Sequence, residues 1–126
     1  MKKITSILIF LGISIGLVGV FFLMEKIRSS NNRPLEKIVL FYGTGCPHCV
    51  KVEEFIKENK IKEKINFEEK EVYFNKENQN LLKEAAKFCK IDEREIGVPF
   101  LWDRENGKCV VGDEPIINFF KEKLNL

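Results

Sequence analysis

The sequence of 126 residues predicts an α/β domain with the element order β-α-β-α-β-β-α, preceded by an apolar N-terminal segment. Three observations lead to this prediction. Short apolar runs rich in β-branched and aromatic residues alternate with stretches of helical periodicity, an Asn-Gly pair separates the last two such runs, and the chain begins with a long uncharged stretch. Because strand–helix–strand units give a parallel pair and a hairpin gives an antiparallel pair, we expect a mixed sheet with flanking helices.

The uncharged stretch runs from Ile4 to Met24. As a helix rising ~1.5 Å per residue it would be about 30 Å long, which matches the hydrocarbon core of a bilayer. A cleaved signal peptide has an apolar stretch of only about 7 to 15 residues that ends in small residues, whereas this stretch ends in bulky ones. We therefore predict a short tail at residues 1–3, an uncleaved transmembrane signal anchor at 4–24, a polar linker at 25–35 and one folded domain at 36–126.

The charges on either side of the anchor bear on its orientation. Two lysines precede it, and Lys26, Arg28 and Arg33 follow it, so the positive-inside count is close to a tie. A very short N-terminal tail fits the usual signal-anchor arrangement, in which that tail stays in the cytoplasm. We therefore expect a single-pass protein of the cell membrane whose folded domain is extracytoplasmic.

The charge of the part that follows the anchor limits its partners. All 19 acidic residues lie there, and 19 of the 21 basic residues lie there too, because only Lys2 and Lys3 precede the anchor. This part is thus formally neutral. A nucleic-acid-binding domain needs a basic face, so nucleic acid is not among the expected partners.

The first half of the folded domain contains two strand patterns with a helix pattern between them. "KIVLFYG" at 37–43 is a short apolar run ended by glycine, which is typical of a buried strand. Pro47 suits the first turn of the helix that follows, where its missing N–H does no harm. "INFEEKEVYF" at 65–74 is the second strand, but from Val72 the apolar residues change parity, so we expect a bend or an early end there.

The second half begins with a helix that Asn75 is predicted to cap. "VPFLW" and "KCVV" are two further strand patterns, and the Asn106-Gly107 pair between them suits a hairpin turn. Asp113 is predicted to cap the last helix.

The motif that carries chemistry is Cys46-Pro47-His48-Cys49, which contains the only histidine of the chain. Cys46 is placed at or just before a helix N-terminus, where free N–H groups and the helix dipole favour a negative charge. This lowers the pKa of the thiol and raises the fraction of thiolate, which is the attacking species. Cys49 lies one turn further on the same face and can reach Cys46 to close a disulfide. His48 would stabilise the thiolate if it is charged or hydrogen-bonded toward the sulfur.

Metal binding is the alternative use of these residues. A structural zinc site needs four ligands, and beyond the motif the sequence offers only Cys89 and Cys109, without the usual paired spacing, so no metal site is predicted. Thiolates also suit copper(I), so a copper(I)-handling module that uses Cys46, Cys49 and His48 is the second hypothesis. Cys89 and Cys109 each lie in an apolar pattern, and the sequence leaves open whether they are buried thiols or a second disulfide.

"VLFYGTGCPHC", followed by "VPF" and "VVGD", resembles the glutaredoxin/thioredoxin family over essentially all of residues 36–126. The resemblance implies a thioredoxin-like fold with a four-stranded mixed sheet, and thiol–disulfide exchange by Cys46 and Cys49. It also implies a cis peptide bond between Val98 and Pro99, in a loop that faces the cysteines and lets an incoming peptide pair with the Val98 backbone. The implied partners are protein thiols or disulfides and a redox recycling partner, with no bound cofactor.

Several positions of the sequence differ from one or another branch of this family. "CPHC" resembles the DsbA-type oxidases whereas the compact layout resembles glutaredoxins, so the direction of electron flow stays open. "VVGD" has one glycine where the glutathione-contacting pattern of glutaredoxins has two, and Gly97 stands where they carry threonine; glutathione is thus a candidate co-substrate only. Leu40 occupies the position of the buried acid of thioredoxins and DsbA-type proteins.

We therefore predict a membrane-anchored thiol–disulfide oxidoreductase. Its predicted site residues are Cys46, Cys49 and His48 in catalysis, Gly45 and Pro47 in the active-site loop, and Val98, Pro99, Gly112 and Asp113 in substrate binding.

Overall fold

The computed structural model describes residues 36–126. The tail, the transmembrane anchor and the linker predicted for residues 1–35 lie outside the described residues. Within residues 36–126, no helix has the length and apolar character needed to cross a membrane.

The observed element order confirms the predicted α/β domain. The elements are β1 (Ile38–Tyr42), α1 (Pro47–Glu58), α2 (Ile61–Lys64), β2 (Glu68–Glu71), α3 (Lys76–Phe88), a 3-10 turn (Glu93–Glu95), β3 (Phe100–Asp103), β4 (Lys108–Val111) and α4 (Asp113–Leu124). The four strands form one sheet in the order β2-β1-β3-β4. β1 and β2 are parallel, while β1 with β3 and β3 with β4 are antiparallel, so the sheet is mixed and the fold is thioredoxin-like.

The central strand β1 is buried on both faces, which explains why its sequence is a continuous apolar run. Ile38 and Leu40 point to the face covered by α1 and α4, whereas Val39 and Phe41 point to the face covered by α3. The fully or nearly buried side chains of the first face include Val52, Ile56, Ile61, Leu101, Ile116 and Phe120. Those of the second face include Val72, Leu82, Ala85, Ala86 and Phe100. The sheet is thus a rigid base for the loops at the carboxyl end of β1.

β2 is shorter than the strand predicted at 65–74, and the early end expected near Val72 is confirmed. The carboxylate of Glu71 accepts the backbone N–H groups of Tyr73 at 2.8 Å and of Phe74 at 2.9 Å. These bonds turn the chain out of the sheet after Val72, whose N–H still donates to the Tyr42 carbonyl at 2.9 Å.

The N-cap of the helix that begins after Asn75 was predicted correctly, whereas the prediction of Asp113 as the N-cap of the last helix was wrong. The Asn75 side chain accepts the N–H of Asn78 at 3.1 Å, which is the expected N-cap. The last helix, however, has Gly112 at its N-cap, with a φ of 97°, and makes no side-chain cap bond. Asp113 is already the first residue of α4, and its carboxylate binds side chains of α1 instead.

A disulfide joins Cys89, directly after α3, to Cys109 in β4, 20 residues apart. This settles the pairing that the sequence left open. The bond links the two ends of a segment that contains the 3-10 turn, the Val98-Pro99 loop and β3.

Candidate redox-active site

The predicted motif lies at the junction of β1 and α1. Cys46 is the N-cap of α1 and Pro47 is in its first turn, as predicted. The N–H of Cys46 donates to the carbonyl of Gly43 at 3.1 Å, and Gly45 between them has a φ of 79°, which favours glycine. The tight turn therefore delivers the Cys46 sulfur to the open end of the helix.

Both cysteines of the motif are free thiols, and both are buried, with exposed fractions of 7% for Cys46 and 6% for Cys49. The backbone N–H of Cys49 donates to the Cys46 sulfur at 3.4 Å. The sulfur thus occupies the position in which a capping side chain satisfies an unpaired N–H of the first helical turn. The helix terminus stabilises negative charge on Cys46.

The two thiols have opposite pKa shifts. Burial raises the pKa of Cys46, but hydrogen bonds from the Cys49 thiol and from backbone N–H groups outweigh it, so the pKa of Cys46 lies below its usual value. Burial, followed by the hydrogen bond with Cys46, raises the pKa of Cys49 to about 12. Near neutral pH the first cysteine is therefore the better source of thiolate and the second remains a thiol.

The Val98-Pro99 loop faces the cysteines. Its peptide bond is cis, as the resemblance implies, and the Cys46 thiol donates to the carbonyl of Val98 at 3.7 Å. The carbonyl of Pro99 accepts the N–H of Gly112 at 3.0 Å, which ties this loop to the start of α4. The structure thus brings Cys49 and Val98, from two separate segments, to the Cys46 sulfur, and the Gly112–Pro99 bond lies in the loop beside them.

His48 and Asp113 contact each other. His48 Nδ1 lies 3.0 Å from Asp113 Oδ2, and Lys51 Nζ lies 2.9 Å from the same oxygen. The Lys51 ammonium, and then the His48 imidazole, hold the pKa of Asp113 well below its usual range. The contribution of His48 to the low pKa of Cys46 comes from its backbone N–H, while its exposed imidazole is directed to Asp113.

Two residues of this region were missed by sequence reasoning. Tyr73 lies just beyond β2 with its ring against Gly43, and its side chain contributes to the lowered pKa of Cys46. Glu71 binds the turn that carries Tyr73 and also the loop before Cys46, because it accepts the N–H of Thr44 at 3.3 Å. The only sequence signal for them was the change of parity at the end of the second strand.

A cavity of about 230 Å³ opens beside the cysteine pair. Cys49 and Pro99 line it, together with Thr44 and Val50. Val50 is 43% exposed, so the rim of the cavity is partly apolar. A side chain of a bound partner has room here next to the reacting sulfurs.

Among residues 36–126, no three or more histidine, cysteine, aspartate or glutamate side chains are grouped to hold a metal ion. Copper(I) binding would therefore depend on the thiolates of Cys46 and Cys49 themselves.

The fold and the site define a thioredoxin-like protein with a Cys-x-x-Cys pair at the N-terminus of its first helix. No protein-family model matches the sequence, and neither does any of the curated proteins with which it was compared.

Proposed function

We propose that the chain is a membrane-anchored thiol–disulfide oxidoreductase that acts on other proteins. The observation that carries this proposal is the asymmetry of the pair: the pKa of Cys46 is lowered at a helix N-terminus, while that of Cys49 is raised to about 12. Thiol–disulfide exchange by a cysteine pair needs one cysteine that attacks as a thiolate and a second that stays protonated until it resolves the mixed disulfide.

In the reducing direction, the Cys46 thiolate attacks one sulfur of a substrate disulfide. That disulfide bond breaks, its electron pair leaves on the second substrate sulfur, and a mixed disulfide with Cys46 forms. Cys49 then loses its proton and attacks the Cys46 sulfur, which releases the substrate as a dithiol and leaves a Cys46–Cys49 disulfide. In the oxidising direction the same steps run backward, and two electrons pass from the substrate to the pair.

The resolving step needs a Cys49 thiolate. Part of what raises the pKa of Cys49 is its hydrogen bond with Cys46 and the negative charge there, and both are lost once Cys46 is in a mixed disulfide. Formation of the mixed disulfide thus lowers the pKa of the next nucleophile. Leu40, which is buried in the core, supplies no carboxylate at that position to accept the proton.

Substrate binding is assigned to the loop opposite Cys46. The Val98 carbonyl lies 3.7 Å from the sulfur, so an extended peptide that pairs with the Val98 backbone presents its own sulfur to Cys46. Gly112, bound to the Pro99 carbonyl, holds the loop in place. Substrate binding through the backbone favours protein substrates of varied sequence.

The membrane location is proposed from residues 4–24, whose uncharged sequence suits a signal anchor. With the tail in the cytoplasm, the domain meets extracytoplasmic proteins, and a separate redox partner must recycle the pair. Glutathione remains a candidate co-substrate.

Two substitutions test the function. Cys46→Ser is expected to abolish both insulin reduction and dithiol oxidation by the full chain, whereas Cys49→Ser should accumulate mixed disulfides on Cys46 that are visible on a non-reducing gel. The matched control is the double variant Cys89→Ser/Cys109→Ser, which keeps the reactive pair. Equal residual activity in the two single variants would contradict the assignment.

A further inference from the structure

Tyr73 follows β2 and lies against the loop that precedes Cys46. Its ring fills the space that a β-carbon on Gly43 would occupy, and the Gly43 carbonyl accepts the N–H of Cys46 at 3.1 Å. The ring is therefore packed on the backbone that positions the sulfur. Tyr73 is 50% exposed, so it stands at the surface of the site rather than in the core.

A single carboxylate fixes the turn that carries Tyr73. Glu71 accepts the N–H groups of Tyr73 at 2.8 Å and of Phe74 at 2.9 Å. The same group accepts the N–H of Thr44 at 3.3 Å and its hydroxyl at 3.4 Å. Glu71 thus joins the turn after β2 to the loop between Gly43 and Cys46, across 27 residues of sequence.

We propose that Tyr73 is a catalytic residue, whose hydroxyl donates a hydrogen bond to the Cys46 thiolate, and that Glu71 is its positioning residue. This inference rests on the exchange reaction proposed above. In the reducing direction the hydroxyl stabilises the attacking thiolate before its electron pair forms the new S–S bond. In the oxidising direction it stabilises the same sulfur when Cys46 leaves the mixed disulfide with the electron pair.

The proton of Tyr73 stays on its oxygen throughout. Burial, then the negative charges of Cys46 and Cys49, raise the pKa of Tyr73 above its usual value. The charged group beside it on its own turn, Glu71, acts in the same direction. Hydrogen bonds from backbone N–H groups offset the burial of Glu71 and lower its pKa, so that its carboxylate stays ionised. The hydroxyl is therefore a donor at every pH at which the site works.

The test follows the alkylation of Cys46 by iodoacetamide as a function of pH, in the reduced full chain, with the modified residue identified by peptide mass spectrometry. Tyr73→Phe removes one hydrogen bond to the charged Cys46 sulfur. This is expected to reduce the acid dissociation constant of the Cys46 thiol by about tenfold. The midpoint of the pH profile should therefore move to higher pH.

The alkylation rates of the wild-type and Tyr73→Phe proteins, plotted against pH, should also cross. A thiolate becomes more nucleophilic as its pKa rises, with a Brønsted coefficient of about 0.4–0.5, so Tyr73→Phe should react about threefold more slowly below the midpoint and about threefold faster above it. A merely structural loss would lower the rate on both sides. Tyr42→Phe, which removes the hydroxyl of the only other tyrosine, is the matched control and should leave the profile unchanged.

Two further variants test the positioning. Glu71→Gln should move the midpoint in the same direction as Tyr73→Phe, and the double variant should show no additional shift if Glu71 acts through Tyr73. Gly43→Ala keeps the hydroxyl but displaces the ring, and it should also raise the midpoint. Additive effects of Glu71→Gln and Tyr73→Phe would overturn the positioning role.

Alkylation uses no disulfide substrate. The role of Tyr73 and the proposed exchange reaction are therefore tested by different measurements. An unshifted profile in a Tyr73→Phe protein that is folded by circular dichroism overturns the role of Tyr73 and leaves the proposed function intact. A shifted profile in a chain that exchanges no disulfides overturns the proposed function and, with it, the catalytic role.

Discussion

His48 Nδ1 and Asp113 Oδ2 lie 3.0 Å apart, across the junction of the first and last helices. Lys51 Nζ lies 2.9 Å from the same oxygen. The carboxylate therefore binds the Lys51 ammonium and the His48 imidazole at the start of α1, the helix that Cys46 caps. A change at either partner alters the charge that the Cys46 sulfur experiences.

We predict a reduction potential of the Cys46–Cys49 pair that is more oxidising than the roughly −270 mV of thioredoxin, because stabilising the Cys46 thiolate stabilises the reduced form. His48→Ala keeps the backbone N–H that acts on Cys46 and removes only the imidazole, so its shift of the potential to more negative values should be small. Asp113→Asn should move the potential the other way, since it removes a negative charge and leaves the Lys51 ammonium uncompensated. Equilibration with glutathione buffers measures all three proteins.

The control for these potentials is Glu54→Gln, which changes an exposed charge of α1. A wild-type potential at or below that of thioredoxin, unmoved by His48→Ala, would leave a membrane-tethered reductase as the function.

We predict that resolution of a mixed disulfide by Cys49 accelerates with pH. Burial, the largest cause of the raised pKa of Cys49, persists when Cys46 is in a mixed disulfide, so only a small fraction of Cys49 is thiolate at neutral pH. The rate should increase up to about tenfold per pH unit, since the thiolate is the nucleophile. Release of thionitrobenzoate from its mixed disulfide with Cys46 reports this rate. The measurement covers roughly pH 6 to 9, a range that includes the ordinary pKa of a thiol. A rate of resolution that does not change over this range would contradict the prediction, because Cys49 would then already have lost its proton to another group.

We predict that the Cys89–Cys109 disulfide stabilises the domain. It closes a loop of 20 residues, for which the loss of chain entropy in the unfolded state corresponds to about 3 kcal/mol. The Cys89→Ala/Cys109→Ala variant should lose that much free energy of unfolding in a urea titration, whereas Cys46→Ala/Cys49→Ala keeps this bond and is the control. Trp102, the only tryptophan and the register partner of Cys109, provides the fluorescence signal. Equal stability of both double variants would contradict the prediction.

We predict that the full chain remains in the membrane fraction after an alkaline wash, because residues 4–24 carry no charge. Cys46 should then react with a membrane-impermeant thiol reagent applied to intact cells. Labelling only after lysis would place the domain in the cytoplasm and favour a reductase.

Much of the fold was predictable because local patterns and tertiary contacts agree. β1 is buried on both faces, so its apolar run is unambiguous, and Pro47 can hardly lie anywhere but in a first helical turn. The end of β2 was predictable only as a change of parity, because the bonds that end it come from the Glu71 side chain. Asp113 follows the pattern of an N-cap, but the contacts with Lys51 and His48 compete for its carboxylate.

The part of the site that escaped prediction depends on contacts between distant segments. Cys46 and Cys49 are recognisable from their spacing, whereas the approach of Tyr73 to Cys46 depends on how the turn after β2 meets the turn after β1. The Cys89–Cys109 pairing likewise depends on how α3 packs on β4. Neither arrangement has a periodicity or a spacing that a single sequence displays.

The sheet order leaves β2 at one edge, with an unpaired side along four consecutive charged residues, Glu68–Glu71. Charged side chains on an edge strand discourage the strand of another molecule from pairing there, which is how many β-proteins avoid aggregation. If residues 4–24 anchor the domain in a bilayer as proposed, neighbouring copies are concentrated in two dimensions, and this protection against pairing becomes more important. It hinders copies of the chain from joining at the β2 edge, while the Val98 loop is where we propose that an incoming strand pairs.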